Sequence, residues 1–450
     1  MERPLTQQLR NLAQQAPVRF FMPGHKGRGG SENLLDGVLP YDVTELPDTD
    51  DLYQPEGVLA LSQRMAARAM KAPQVFYCTN GCTGALHTAL QLAARRGRRM
   101  LVDRNCHKSV IHGGILLDLE MEFLQPDVLP GFGITAGYTA QQVEKQLAEK
   151  EFSAVVLTSP TYYGVVSRLE EIAQACHAHG ALLVVDAAHG SHFPFHPALP
   201  APPWLCGADL TAVSNHKTQP VLTQAACLVT SEAFDPEEVR RAMSLTCSSS
   251  PSYLLMASLE QGVAQMAEEG QQRLEILMEE CARVRKAVRQ QGRLIPLESG
   301  PDVCIDPTRL VIQGGSFGGY GLYQRLMEQE IWCEMADTRN VVILPSIHNT
   351  GEDFYKLEKA LLTAGAEAEP SPDEPVEWMP MARRVMPLRQ AWQAPFESVP
   401  LEQAEGRICG ETKGVYPPGV CVLTPGERID SSVYRYINDR FTGTIRVIKE

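Results

Sequence analysis

The chain has 450 residues, 44% hydrophobic and 21% charged, proportions that exclude wholesale disorder and can fill the core of more than one domain. Its 54 acidic against 41 basic residues leave a formal net charge of −13, which argues against nucleic acid or an anionic membrane as the main partner. The 12 cysteines show no C-x-x-C pair and no zinc-ligand spacing, no apolar run approaches the ~20 residues that span a bilayer, and the N-terminus lacks a signal-peptide core, so a soluble protein of a reducing cytoplasm is expected.

From residue 74 to 230, short apolar or β-branched runs alternate with helical patterns, the signature of a mostly parallel sheet with crossover helices. The predicted strands are QVFYC (74–78), RMLVD (99–103), MEFLQ (121–125), SAVVLTS (153–159), ALLVVDAA (181–188), LTAVS (210–214) and AACLVT (225–230). Helices are predicted in CTGALHTALQLAARRG, HKSVIHGGILL, AQQVEKQLAEK and LEEIAQACHAHG, with Gly97 and Gly180 at C-cap positions. After Pro251 a long helix is expected over 252–291, because Leu274, Leu277, Met278, Cys281, Val284 and Val288 recur at three- and four-residue steps. It leads into a smaller α+β region containing TRLVIQ and NVVILPS. The acidic, proline-rich AEAEPSPDEPVEWMP (366–380) reads as a linker, and YPPGVCVLTPGE beyond it favours turns and edge strands.

Sheets of this kind bind ligands at the carboxyl ends of their strands, so the residues just after each predicted strand carry the chemical information. TNGCTGAL (79–86) follows the first strand and opens a helix, where free backbone N–H groups and Thr83 suit a phosphate; a tight turn with a capping threonine explains it as well. His107, at a helix start in DRNCHKS, is by itself better explained as a cap or surface histidine than as a ring-stacking group. Asp186 ends the very apolar LLVVD run, where a carboxylate needs a cation or several donors, with a helix-capping role as the other explanation. Lys217, in VSNHKTQPVL, follows the next strand; desolvation there makes a lysine a usable amine nucleophile, although a salt-bridged structural lysine would read the same way. A phosphate turn, a strand-end acid and a downstream lysine together suit pyridoxal 5′-phosphate, whose aldehyde needs a Schiff-base lysine, its ring nitrogen a carboxylate and its phosphate a helix N-terminus.

With these residues in place, the chain resembles a short-form member of the Orn/Lys/Arg decarboxylase family, fold type I pyridoxal-phosphate enzymes, and is similar in particular to the biosynthetic arginine decarboxylases. The likeness runs through FFMPGHKGRGG (20–30), DVTELPDTDDLYQPEG (42–57), TNGCTGAL, RNCHKSVIHGG (104–114), SPTYYGVV (159–166), VDAAHGSHF (185–193), SNHKT (214–218), SSSPSYLLMASLE (248–260), DPTRLVI (306–312), ADTRNVV (336–342) and GRICGETKGVYPPGVCVLTPGE (406–427). It implies an α/β fold with a mostly parallel seven-stranded sheet in a large cofactor-binding domain with its N-terminal arm (1–255), a small α+β domain (256–370) and a C-terminal domain (371–450). Lys217 would hold the cofactor with His216 beside it and Ser214 near the phosphate. Asp186 would pair with the ring nitrogen, His107 would stack on the ring, and His189 would lie against it to orient substrate or carry protons. Gly81, Cys82 and Thr83 would face the phosphate, and Ser248, Ser249 and Ser250 would reach the site of a second subunit in a homodimer. Three positions depart from the family pattern: Cys82 where a hydroxyl is usual, Ala187 where glutamate is common, and Tyr53 where histidine is often found.

The implied activity is decarboxylation of a basic amino acid for polyamine metabolism, with arginine first and lysine or ornithine next. Glu402, Glu405, Glu411 and the acids of ELPDTDD (45–51) are candidates for the cation-binding wall, and equally for solvated surface acids. An aminotransferase or lyase would use the same Lys217 and Asp186, with Arg339 as the residue to watch for an aminotransferase's carboxylate clamp. A catalytically silent regulator with the same fold is the rival from outside enzymology. A metal site at His189, His192 and His196 lacks a carboxylate or cysteine at ligand spacing, and GHKGRGG lacks the G-K-[ST] ending of a nucleotide loop, so no metal is expected.

Overall fold

The computed structural model describes residues 1–29, 34–301, 303–370, 379–415 and 420–449. Gly30, positions 371–378 of the predicted linker and the YPPG positions 416–419, for which turns are expected, lie outside the described residues.

The chain enters through helices α1 (Pro4–Gln15) and α2 (Val58–Ala69), then runs into a regular alternation. Strand β1 (Gln74–Cys78) leads to α3 (Gly81–Ala94), β2 (Arg99–Asp103) to α4 (Lys108–Leu117), and β3 (Glu120–Leu124) to α5 (Ala140–Glu149). Then β4 (Ala154–Thr158) precedes α6 (Leu169–Ala178), β5 (Leu182–Asp186), β6 (Leu210–Val213) with the short α7 (Asn215–Thr218), and β7 (Ala226–Thr230). These seven strands form one sheet in the order β1-β7-β6-β5-β4-β2-β3. All seven predicted strands are present. β5, Leu-Leu-Val-Val-Asp, is buried at every position, which is why it reads as an unbroken apolar run rather than an alternation. β2 lies parallel to β3 and to β4, whereas β7 runs antiparallel to both β1 and β6, pairing Gln74 with Thr230 and Cys227 with Val213.

Beyond α8 (Pro236–Thr246) comes the expected long helix, α9 (Tyr253–Gln291), in which Leu274, Leu277, Cys281, Val284 and Val288 are buried. A second sheet follows, built from β8 (Ile295–Pro296), β9 (Leu310–Gln313), β10 (Met335–Ala336) and β11 (Asn340–Ile343) in the order β8-β9-β11-β10. The C-terminal stretch contributes β12 (Phe396–Pro400), β13 (Lys413–Val415), β14 (Val420–Leu423) and β15 (Thr444–Ile448), paired as β12 with β15 and β13 with β14.

Two compact units result, one of residues 1–92 with 185–275, the other of 93–184 with 276–450. In the first, α1 has no side-chain N-cap; the buried carboxylate of Glu260 instead accepts from the Leu5 and Thr6 amides at 3.0 and 2.7 Å, so α9 satisfies the orphan donors of α1. In the second, Val399, Leu401, Val422, Leu423, Ile429, Val433, Ile437, Ile445 and Val447 form one apolar core and Val165, Leu297, Ile305, Val311, Met335 and Val342 belong to another.

Candidate functional site

The first unit gathers most of the predicted site. β6 is buried throughout, and Ser214 ends it by turning the chain into the single turn of α7. That turn closes through Lys217 N to Ser214 O at 3.2 Å and Gln219 N to Asn215 O at 2.8 Å, and the Lys217 side chain on it is half-buried. Its Nζ lies 3.0 Å from Nε2 of His189, which is only 4% exposed. The two loops are fastened together one layer behind: Ser191 and Thr218 hydroxyls meet at 2.5 Å, and Gln219 Nε2 donates to Ser191 O. His216 holds its own ring by contacts of Nδ1 with Ser214 Oγ and Ala225 O, both at 3.2 Å. Burial, with the neighbouring Lys217 charge, lowers the His216 pKa despite the Ala225 contact, so its imidazole is neutral at pH 7.

Asp186 terminates β5 and is 3% exposed. Its Oδ1 accepts from the Ala188 amide at 3.1 Å and from the Cys82 thiol at 3.7 Å, a weak donor. Burial pushes the Cys82 thiol well up, and the Asp186 charge adds to that, so it stays protonated beside the acid. Cys82 and Thr83 sit in the first turn of α3, where Gly81 takes φ +71°, a conformation glycine adopts without strain. Gln224 Nε2 donates to Thr79 O at 2.7 Å and steadies the turn; sequence reading passed over this residue.

This set fits pyridoxal phosphate. A carboxylate buried this deeply, met among the described residues by one amide and one thiol, is the counterpart a protonated ring nitrogen requires. An amine within hydrogen-bond reach of an imidazole would supply the covalent anchor, and the N-terminus of the 14-residue helix α3 would suit an anion.

His107 belongs to the second unit. It is the N-cap of α4, its Nδ1 3.2 Å from the Ser109 amide and 2.8 Å from Ser109 Oγ, and its backbone pairs with Val420. Capping engages one edge of the ring, through Nδ1. Asp103, which ends β2, and Arg104 stand just before His107. Both are buried: Asp103 accepts from Tyr138 Oη and the Asn105 and Thr158 amides, and Arg104 pairs with Glu427 through two 3.0 Å bonds.

The candidate substrate acids divide. Asp50 accepts from the amides of Glu56, Gly57, Leu59 and Ala60 at the start of α2, and Asp51 from that of Tyr53. Glu411 takes the Arg446 amide and Glu405 the Ser431 hydroxyl. Glu45 differs, because its Oε1 is buried without a hydrogen-bond partner among the described residues. Tyr53 donates to Ser248 O at 2.5 Å, and Ser248 to Ser250 are exposed. Arg339, in the second unit, donates to Gly131 O, and among the three histidines of the metal reading His196 engages Glu275 at 2.7 Å while His189 faces Lys217.

Family models for the Orn/Lys/Arg decarboxylase major domain and the Orn/Lys/Arg decarboxylase C-terminal domain match residues 3–303 and 380–442. The chain is similar to proteins named arginine decarboxylase from Bacillus anthracis, at 31% identity over 100% of this chain and 98% of the relative, and from Bacillus subtilis, at 30% over 100% and 98%. Among solved structures it resembles the lysine decarboxylase of Francisella novicida, with TM-score 0.82, 17% identity and coverage of 99% of this chain and 81% of that one. The serine palmitoyltransferase of Sphingomonas wittichii, with TM-score 0.57, 13% identity and coverage of 80% and 84%, shares the fold type I architecture. The matched sequence, together with a buried acid at the end of β5, a lysine after β6 and a helix N-terminus after β1, establishes that this chain belongs to the Orn/Lys/Arg decarboxylase family.

Proposed function

We propose that this chain removes the α-carboxylate of arginine as carbon dioxide and leaves the corresponding amine, with lysine and ornithine as the next substrates. The chain is a pyridoxal-phosphate-dependent amino acid decarboxylase by family, and the relatives that align with its full length carry the name arginine decarboxylase. The observation that carries the reading is the 3.0 Å approach of Lys217 Nζ to His189 Nε2 in the unit that also holds buried Asp186.

Lys217 would hold the cofactor by its amine, Asp186 would balance the ring-nitrogen proton, and Gly81, Cys82, Thr83 and Ser214 would take the phosphate, with His216 alongside and ring stacking as the role of His107. When bound, pyridoxal phosphate supplies an electron sink conjugated to the substrate α-carbon. Lys217 Nζ and His189 Nε2 share a proton position and can return a proton to that carbon after carbon dioxide leaves. The weak Cys82 donor shifts phosphate binding onto backbone amides and Thr83. Glu45, with a buried oxygen that no side chain or amide satisfies among the described residues, receives the guanidinium end of the substrate.

In the same reading residues 1–255 form the arm and large domain, 256–370 the small domain and 371–450 the C-terminal domain. The enzyme works as a homodimer in the cytoplasm and serves polyamine metabolism, with Ser248 to Ser250 reaching the second subunit.

Purified protein loaded with pyridoxal phosphate tests this. Wild type should show the visible absorbance of a lysine-bound cofactor and release carbon dioxide from arginine, and Lys217→Ala should lose both, by 10³-fold or more in turnover. A Lys217→Ala protein that keeps turnover would refute the assignment.

A further inference from the structure

The turn that precedes α3 is flanked by a pair of thiols for which decarboxylation has no use. Cys78 closes β1, fully buried, and its Sγ lies 3.6 Å from Sγ of Cys247, 169 residues later in the loop between α8 and α9. The pair is held from several sides. Cys78 Sγ donates to Gly81 O at 3.3 Å, the Cys247 amide donates to Met243 O at 2.8 Å, and Thr246 Oγ1 lies 3.9 Å from Cys247 Sγ. Both sulfurs rest against α3 where it has no side chain: a Cβ on Gly84 would sit 3.0 Å from Cys78 Sγ and 3.1 Å from Cys247 Sγ. Beside them, the Ser248 amide donates to Asn80 Oδ1 at 3.0 Å, so the two loops are already joined by a hydrogen bond.

The environment divides the labour between the sulfurs. Hydrogen bonds from Cys78 and Thr246 lower the Cys247 thiol below its ordinary value, and it is half-buried and reachable by a small oxidant. The same bond to Cys247, together with burial, raises Cys78 well above its ordinary value, which keeps it a thiol until its partner is oxidised.

We propose that Cys78 and Cys247 are a peroxide-sensitive dithiol whose oxidation to a disulfide fastens the β1–α3 turn to the loop ahead of α9. The Cys247 thiolate attacks hydrogen peroxide, breaking the O–O bond to give a sulfenic acid and hydroxide. Cys78, as its thiol loses a proton, then displaces hydroxide from that sulfur to form the S–S bond. The balance is two thiols and one peroxide to one disulfide and two waters, and a thiol reductant reverses it. In a reducing compartment such a bond forms transiently, as redox-sensing disulfides do. Drawing the sulfurs from 3.6 Å to the ~2.05 Å of a disulfide shifts Thr79 to Thr83, so oxidation weakens retention of pyridoxal phosphate; this consequence rests on the phosphate role proposed for that turn.

The test is peroxide treatment of the cofactor-loaded protein, alkylation of the remaining thiols and peptide mass mapping. The expected result is a linked peptide joining Cys78 to Cys247, loss of two titratable thiols, release of cofactor on gel filtration, and recovery of all three after dithiothreitol. Cys247→Ser should give no linked peptide and keep its cofactor under the same treatment. A link from Cys78 to Cys82, or Cys247 driven to sulfinic acid with Cys78 still reduced, or no link in wild type, overturns the proposal. Mapping requires no turnover, so a linked peptide in a protein that releases no carbon dioxide would leave the dithiol standing and remove the decarboxylase reading.

Discussion

Burial pushes the Asp103 carboxyl up to about 6, even though Tyr138 and the amides of Asn105 and Thr158 favour its ionised form. An acid whose folded-state pKa lies above its unfolded value of 3.8 binds more protons when folded, so its contribution to stability is present below that value and is lost as the pH rises through about 6. The Asp103→Asn variant keeps a carbonyl oxygen for Tyr138 and the Asn105 amide, gives up the acceptor of the Thr158 amide at every pH, and removes the titration. Its stability relative to wild type should therefore rise by on the order of 3 kcal/mol between pH 4 and pH 7, read from urea unfolding at the two pH values. A difference that does not change with pH would contradict this. Glu45 gives the second prediction at this scale. Exchanging a buried carboxylate oxygen for an amide removes the charge partner of the substrate cation, so Glu45→Gln should raise KM for arginine roughly tenfold with a smaller change in kcat. An unchanged KM would exclude Glu45 from the site. From sequence, Asp186 and Lys217 were legible because each follows a strongly apolar strand. Glu45 was not separable from Asp50 and Asp51, because only the fold shows that those two carboxylates are consumed by local backbone amides.

Elements were legible in proportion to how local their causes are. The seven strands and the 39-residue α9 follow from runs and periodicities within a few turns of chain, and capping residues such as Thr139 with Gln142 mark a helix start in plain sequence. The direction of β7 had no local cause, since AACLVT reads the same either way along the sheet; pairing with β1 and β6 decides it. Nor did the sequence show that the loop after β2 is fixed by the C-terminal stretch. There Arg104 and Glu427, each 1% exposed and 323 residues apart, form a two-bond ion pair, Arg104 also donates to Val422 O at 2.7 Å, and its guanidinium lies 4.5 Å from the centre of the Phe123 ring. Removing one member leaves a buried charge without its partner. Glu427→Leu should cost about 3–5 kcal/mol in urea unfolding, and the Arg104→Met, Glu427→Leu double variant should recover part of it. A single variant within roughly 0.5 kcal/mol of wild type, the scatter of surface substitutions, would show that the pair carries no such weight.

At the scale of the whole molecule, an acidic chain of 450 residues folds as two units, and the first brings Asp186, His189 and Lys217 from adjoining strand ends into one neighbourhood with α3. Decarboxylation makes a demand on this arrangement that transamination and elimination do not: the bond that breaks must be the one to the carboxylate, and the carbon must be reprotonated in place. The direct measurement is incubation of the pyridoxal-phosphate-loaded protein with arginine labelled at its carboxyl carbon. The account predicts labelled carbon dioxide and the corresponding amine in equal amounts, faster than from lysine or ornithine. A keto acid, or consumption of arginine with the label still in the product, would contradict it.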